Sequence, residues 1–275
     1  MYLDKWFLNV NRDALDPDQV SYIEGLPEKI PSVKWVWSEM DRVWDSCGID
    51  NKIPILNQNV GRFYGHPVWI MNGLFTEVDP DSKKHRESIA EYFQRNNLFL
   101  IADYGGGSGV LAKTMIEKNV KFDVDIVEPF AFVFFKDRMK NLSSVSYVSD
   151  FRNEYDAAIA QDVLEHVDDP IETAYNICNN VKVDGFIVFA NCFHPHIRCH
   201  LPPTFYLRHT FKWVMRRMGL DYVGRVPGAE HALVFRKTRP LSLNKAQIFG
   251  KKIQTIAPLL NRIWPVLGKM KRSFQ

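Results

Sequence analysis

The segment Leu98-Phe-Leu-Ile-Ala-Asp103-Tyr-Gly-Gly-Gly-Ser-Gly109-Val-Leu-Ala-Lys-Thr-Met115 decides how the chain is read. Leu98 to Ala102 is a short, mostly apolar run, the pattern of a strand buried on both faces. Asp103 closes it, Gly105, Gly106, Gly107 and Gly109 follow, and Leu111, Met115 and Ile116 begin a helical repeat. The expected unit is therefore strand, glycine turn, helix. Glycines admit backbone conformations closed to residues with a Cβ, and they let a ligand lie directly on the main chain. The first helical turn adds unpaired N–H groups and partial positive charge for an anionic part of that ligand.

Spacing narrows the ligand. A dinucleotide turn needs G-x-G-x-x-G, and no register supplies it: from Gly105 the third glycine falls on Val110, from Gly106 the second on Ser108, from Gly107 the third on Ala112. A P-loop is excluded because no Lys-Ser/Thr pair follows the glycines. The pattern that fits is D-x-G-x-G-x-G, over Asp103, Gly105, Gly107 and Gly109. In this the chain resembles the class I S-adenosylmethionine-dependent methyltransferases. The resemblance implies that the loop wraps the methionine and ribose parts of S-adenosyl-L-methionine, with Asp103 helping to hold the ammonium group.

Around this unit strands and helices alternate. Strands are expected at Phe122 to Val127, Val145 to Ser149, Tyr155 to Gln161 and Phe186 to Cys192, with helices over Phe130 to Lys140 and from Asp169-Pro170. Asp79 reads as the N-cap of a helix reaching Asn96, and Thr210 as the cap of one ending at Gly219. Tyr222 to Val226 and Ala232 to Arg236 read as a closing hairpin turned by Pro227-Gly228-Ala229-Glu230. The fold class is α/β: a Rossmann-like, seven-stranded, mostly parallel sheet with its last strand antiparallel and helices on both faces. That count and ending also match the methyltransferase fold. Three regions follow: an aromatic-rich helical cap or lid over residues 1–78, the cofactor-binding domain over 79–239, and a basic amphipathic tail over 240–275.

Ligands of such sheets bind at the carboxyl ends of the strands. Glu128, nineteen residues past Gly109, ends the second strand, where a carboxylate can accept both hydroxyls of a ribose. Asp123 and Asp125 lie inside that strand. By resemblance, Asp150 receives the adenine amino group beside the backbone N–H of Phe151, while Gln161 and Asp162 face the methionine end. Leu164-Glu165-His166 after the fourth strand is frequent in family members that methylate small molecules, quinone precursors and sugars. His166 is the expected base for a substrate hydroxyl or amine, and His194, after the fifth strand, is the second candidate. Arg198 is the expected anion contact. No metal is assigned: Cys192, His194, His196, Cys199 and His200 crowd one short loop without C-x-x-C spacing. By resemblance, some family members bind a divalent ion through E-x-x-E-H, which Asp162, Glu165 and His166 match except that the first acid is Asp, with His194 as the later histidine. Leu-Glu-His also occurs where no ion is used.

The four cysteines form no disulfide framework, no secretory leader is evident, and the expected location is cytoplasmic. The net charge of +3 is unevenly placed: residues 240–275 carry seven Lys/Arg and no acid, leaving residues 1–239 with 28 cations against 32 acids. Phe249, Ile253, Ile256, Leu260, Ile263, Leu267 and Met270 form an apolar stripe in this basic tail, suited to membrane-surface contact or to docking on the core. Pro258 and Pro265 predict two or three short helices there. The expected activity is methyl transfer, at oxygen, to a small molecule or to a sugar of a glycan or lipid-linked precursor. An RNA or protein methyltransferase and a non-catalytic cofactor-binding scaffold are the alternatives. The acidic core argues against nucleic acid, and the oligomeric state is not readable.

Overall fold

The computed structural model describes residues 1–272, with side chains described through residue 261. The chain opens with a hairpin, β1 (Tyr2–Lys5) and β2 (Leu8–Asn11), then α1 (Pro17–Glu24), α2 (Val33–Ser46), α3 (Gly61–Tyr64), α4 (Val68–Val78) and α5 (Pro80–Arg95). The alternating part is β3 (Leu100–Tyr104), α6 (Val110–Lys118), β4 (Asp123–Val127), α7 (Val133–Met139), β5 (Val145–Val148), β6 (Tyr155–Gln161), α8 (Pro170–Asn179) and β7 (Val181–Ala190). α9 (Phe211–Met218), β8 (Leu220–Val226), β9 (Ala229–Lys237) and α10 (Leu243–Arg272) complete it.

Seven strands pair in the order β5-β4-β3-β6-β7-β9-β8, with β9 antiparallel to both neighbours and the β5-to-β7 pairs parallel. β3 lies between β4 and β6, so the winding reverses beside it and a crevice opens at the carboxyl ends there. The expected sheet is thus the one observed, with local corrections. β3 begins two residues later than its apolar run and extends through Tyr104, so Asp103 lies inside the strand at 2% exposure. β7 starts at Val181, because the turn expected at Asp184-Gly185 is absorbed as an irregularity in its pairing with β6, with Asp184 at φ 65°. Asp79 and Asp169 cap α5 and α8 through the amides of Ser82, Ile171 and Glu172. Thr210 stands at the start of α9, but its hydroxyl donates to the Tyr206 carbonyl and caps nothing.

Apolar residues fill both faces of the sheet, Phe189, Val214 and Met215 on one side and Phe93, Met115 and Ile126 on the other. A third cluster, including Trp44, Phe63, Met71 and Leu74, belongs to the N-terminal segment and continues through Phe134 and Phe135 of α7 and through Cys199 and Leu201. The cap therefore shares its core with the sheet domain. Glu77 pins it further, its carboxylate lying between Lys113 of α6 at 3.1 Å and Arg138 of α7 at 2.6 Å.

α10 is one helix that runs through Pro258, in place of the expected short pieces. It packs on α8 and α9, where Ala246, Gly250, Ile253 and Ala257 are buried. That tertiary contact outweighs the hydrogen bond a proline deletes. In its described part the apolar stripe thus faces the protein at Ile253, while Ile256 is 48% exposed. Ile263, Leu267 and Met270, with Arg262, Lys269, Lys271 and Arg272, lie outside the described side chains. Among the described residues no helix is long and apolar enough to cross a membrane. Ile253→Asp would bury a carboxylate with no partner and is expected to cost about 3 kcal/mol, against roughly 0.5 kcal/mol or less for Ile256→Asp. Thermal melts of the two variants, read side by side, check which face α10 uses.

Candidate active site

The turn between β3 and α6 is built from left-handed backbone: Gly105, Gly107 and Gly109 have φ of 70°, 46° and 72°. Their surroundings differ. A Cβ at Gly105 would stand 2.6 Å from Val163 Cγ2, and one at Gly109 2.8 Å from the Tyr147 hydroxyl, so both positions are closed by packing. At Gly107 the nearest atom is the Gly105 carbonyl oxygen at 3.9 Å, so this glycine opens on free space. Tyr147 donates to the Gly107 carbonyl at 2.9 Å and fixes the loop from β5. Beneath it lies the Asp103 carboxyl, whose Oδ2 has no hydrogen-bond partner. Burial, with the charge of Glu128 adding to it, pushes Asp103 up to about 7.

Glu128 sits at the tip of β4, accepting from the amides of Phe130 at 3.2 Å and of Gly107, so the carboxylate and the glycine turn are in contact. Asp125 is spent elsewhere: it pairs with Arg152 and accepts the Tyr155 hydroxyl at 2.7 Å. Asp150 is exposed at the end of β5, and the Phe151 amide expected to be free donates to Asp150 Oδ1 at 2.7 Å instead. A carboxylate next to its own following amide competes for that donor. The Phe151 ring stacks on Tyr104, 5.7 Å between centroids. Gln161 ends β6 half-buried, and Asp162 follows in left-handed backbone, φ 52°, exposed to the crevice and with its carboxyl raised by the surrounding protein.

The next loop carries a second group of polar side chains. Glu165 is fully buried: Oε1 accepts the Cys192 amide at 2.6 Å, its carbonyl accepts the Leu201 amide at 2.9 Å, and Oε2 has no partner. Burial and the charge of Asp162 both raise its carboxyl. His166 Nδ1 lies 2.9 Å from the Cys199 carbonyl, and burial pushes the imidazole down to about 3. It is therefore a far weaker base than the sequence suggested. The ring of Trp69 meets it edge-on, 6.4 Å between centroids, and Trp69 stacks on Tyr64, so the cap roofs this corner. His194, also lowered by burial to about 4, stacks on His196, which in turn stacks on Trp37. Arg198 faces α2 in this structure: its amide donates to Asp41 and its side chain lies 3.7 Å from Asp45. His200, which the sequence did not single out for this place, instead packs against His166 with 4.9 Å between ring centroids. Glu165, His166 and His200 bring metal-ligand atoms within 4.8 Å of one another.

A family model described as "Methyltransferase domain" matches residues 86–224. The chain belongs to this methyltransferase family. No curated protein matches the methyltransferase by sequence. Its fold is similar to that of an O-methyltransferase family protein from Burkholderia thailandensis, at 12% identity and a TM-score of 0.54, covering 76% of this chain and 70% of that one. It is also similar to human N-acetylserotonin methyltransferase solved with S-adenosylmethionine, at 16% identity and a TM-score of 0.51, covering 74% and 67%. S-adenosylmethionine is the cofactor of this methyltransferase. The crevice fits it: a buried carboxylate oxygen without a partner awaits a cation, and the turn keeps one glycine clear.

Two outcomes test that fit. Gly107→Val should abolish cofactor binding in calorimetry at a stability cost of about 1 kcal/mol, whereas Gly109→Val should lower the melting temperature far more. Asp103 gives a pH signature. Its folded value of about 7 exceeds the ordinary 3.8, so the cofactor-free chain loses stability as pH rises from about 4 to about 7, on the order of 4 kcal/mol in all. Asp103→Asn should therefore melt higher than the parent at pH 8 while binding the cofactor more weakly. The parent's affinity should rise between pH 6 and 8 by more than the variant's, Glu128 and Tyr147 being the other titratable groups facing Asp103.

Proposed function

We propose that the chain transfers a methyl group from S-adenosylmethionine to an oxygen of a small molecule. In this reading Gly105, Gly107 and Gly109 cradle the cofactor, Asp103 faces its ammonium, Glu128 its ribose, and Gln161 and Asp162 its methionine end. Asp150 and the Tyr104–Phe151 stack border the adenine. When bound, the cofactor supplies an activated methyl group on a sulfonium. That methyl would pass to an acceptor oxygen, whose own electron pair would form the new O–C bond while the C–S pair went to sulfur and the hydroxyl proton to solvent.

What this chain contributes is alignment and exclusion of water. The observation that carries the small-molecule reading is the roofed corner at His166, where the loops after β6 and β7 meet Trp69 and Tyr64 of the cap. Such a corner suits a compact acceptor, and the basic α10 is docked along α8 and α9. His166 and His194 line or approach that corner, His166 positioning the acceptor. A sugar hydroxyl belongs to the same acceptor class when it is presented on a small glycan or precursor.

Purified chain incubated with methyl-labelled cofactor and separate small-molecule, RNA and protein fractions of a cell extract is expected to label the small-molecule fraction alone. Label confined to RNA or protein would replace this reading. Trp69→Ala should raise the acceptor KM by roughly tenfold, with cofactor affinity unchanged.

A further inference from the structure

We propose that the outward face of α10, together with the arginines of α9, is a docking surface for an anionic phospholipid bilayer. Burial settles which way the helix is turned, since Ala246, Gly250, Ile253 and Ala257 are covered by the protein. Successive residues step by about 100° around a helix, so the opposite side is that of Ile248, Lys252, Thr255 and Leu259. Lys245, Lys251 and Ile256 flank this line, and all of these side chains are exposed. Ile248, Ile256 and Leu259 stand 51%, 48% and 60% open to water. Single exposed aliphatics are ordinary on a protein surface. Three on one side of a helix, with three lysines among them and no acid, are the composition of a segment that lies in a membrane interface.

The positive charge continues beyond the helix. Arg216, Arg217, Asp221, Arg239 and Phe249 line an open pocket where α9, the start of β8 and the segment after β9 meet α10. Arg217 lies over the Phe249 ring, 5.1 Å from its centroid, and so joins α9 to α10. Lys245, Lys252 and Ile256 stand four before, three after and seven after Phe249, which puts them on its side of the helix, along the rim of the pocket. Three guanidiniums against one carboxylate, the Asp221 that pairs with Arg239, leave the pocket positive.

Phosphate groups suit these cations whichever polyanion carries them, and the aliphatic side chains decide between the carriers. A nucleic-acid strand is held by aromatic platforms beside the cations. Ile248, Ile256 and Leu259 gain instead by leaving water, which the boundary between headgroups and acyl chains allows. In this arrangement α10 lies along the bilayer with its lysines and the α9 arginines among the phosphates, while its inner face stays docked on the protein. The sequence continues the pattern, residues 262–272 adding Arg262, Lys269, Lys271 and Arg272 and no acid. Docking does not depend on which molecule accepts the methyl group.

The test is cosedimentation of the full chain with unilamellar vesicles of phosphatidylcholine alone, and of phosphatidylcholine mixed two to one with phosphatidylglycerol, at low and high salt. Binding is expected to the mixed vesicles only, and high salt should release it in part. Arg216→Glu combined with Lys252→Glu should weaken binding by about tenfold or more, and Ile248→Ser combined with Leu259→Ser by a similar factor. All four side chains are exposed, and an unchanged melting temperature with unchanged S-adenosylhomocysteine affinity shows for each variant that the fold is kept. No sedimentation with either vesicle, equal binding to the two compositions, or binding that both variants retain in full overturns the surface. Retardation of RNA by a chain that ignores the vesicles would assign the surface to nucleic acid instead.

Discussion

Three left-handed residues within five, Gly105, Gly107 and Gly109, set the distances on which the rest of the site depends. Gly105 lets Val163 close in from the loop after β6, and Gly109 lets the Tyr147 hydroxyl close in from β5. The turn thus fixes how near those two strands' carboxyl ends stand to β3. Only Gly107 is spared from packing, which is why the crevice has a floor of bare backbone. Any side chain at the flanking positions would separate the elements before it met a ligand.

Below and beside this turn the fold keeps two carboxylate oxygens without partners, Asp103 Oδ2 and Glu165 Oε2. Each sits where hydrocarbon would be more stabilising, one beneath the glycine turn and the other on the turn after β6. The free chain gives up stability to hold them, as sites prepared for positive charge do. Asp125, equally buried in the neighbouring strand, shows the contrast: Arg152 and Tyr155 satisfy it, and it serves structure alone.

Much of this was legible in the sequence because it rests on local constraints. Glycine spacing, the acid at the tip of β4 and the caps at Asp79 and Asp169 need only their near neighbours to be read. The tail stayed open between lipid and core because an apolar stripe looks the same whether it meets a membrane or the Ile171 side of α8; here a Cβ added at Gly250 would stand 2.5 Å from Ile171 Cδ1. Pro258 suggested a break for the same reason, since docking energy is not written in the helix itself. His200 could not be chosen over His194 from spacing, because the path of the loop decides it: the His194 carbonyl is turned toward His200, which places His200 and not His194 against His166. The weak basicity of His166 was likewise hidden, being a property of the roof laid over it by Trp69 and the loop beside it.

Cys199 joins the two halves of the molecule. Its carbonyl holds His166, and its side chain, 1% exposed, is part of the apolar cluster that the cap shares with α7. Burial holds the thiol well above its ordinary range, so in the closed form it is neither ionised nor reachable. Alkylation of Cys199 is then a clock for the lifting of the roof, with partly exposed Cys47 as its internal reference. A ligand that slows the clock without touching the sulfur reports how tightly the occupied compartment is shut.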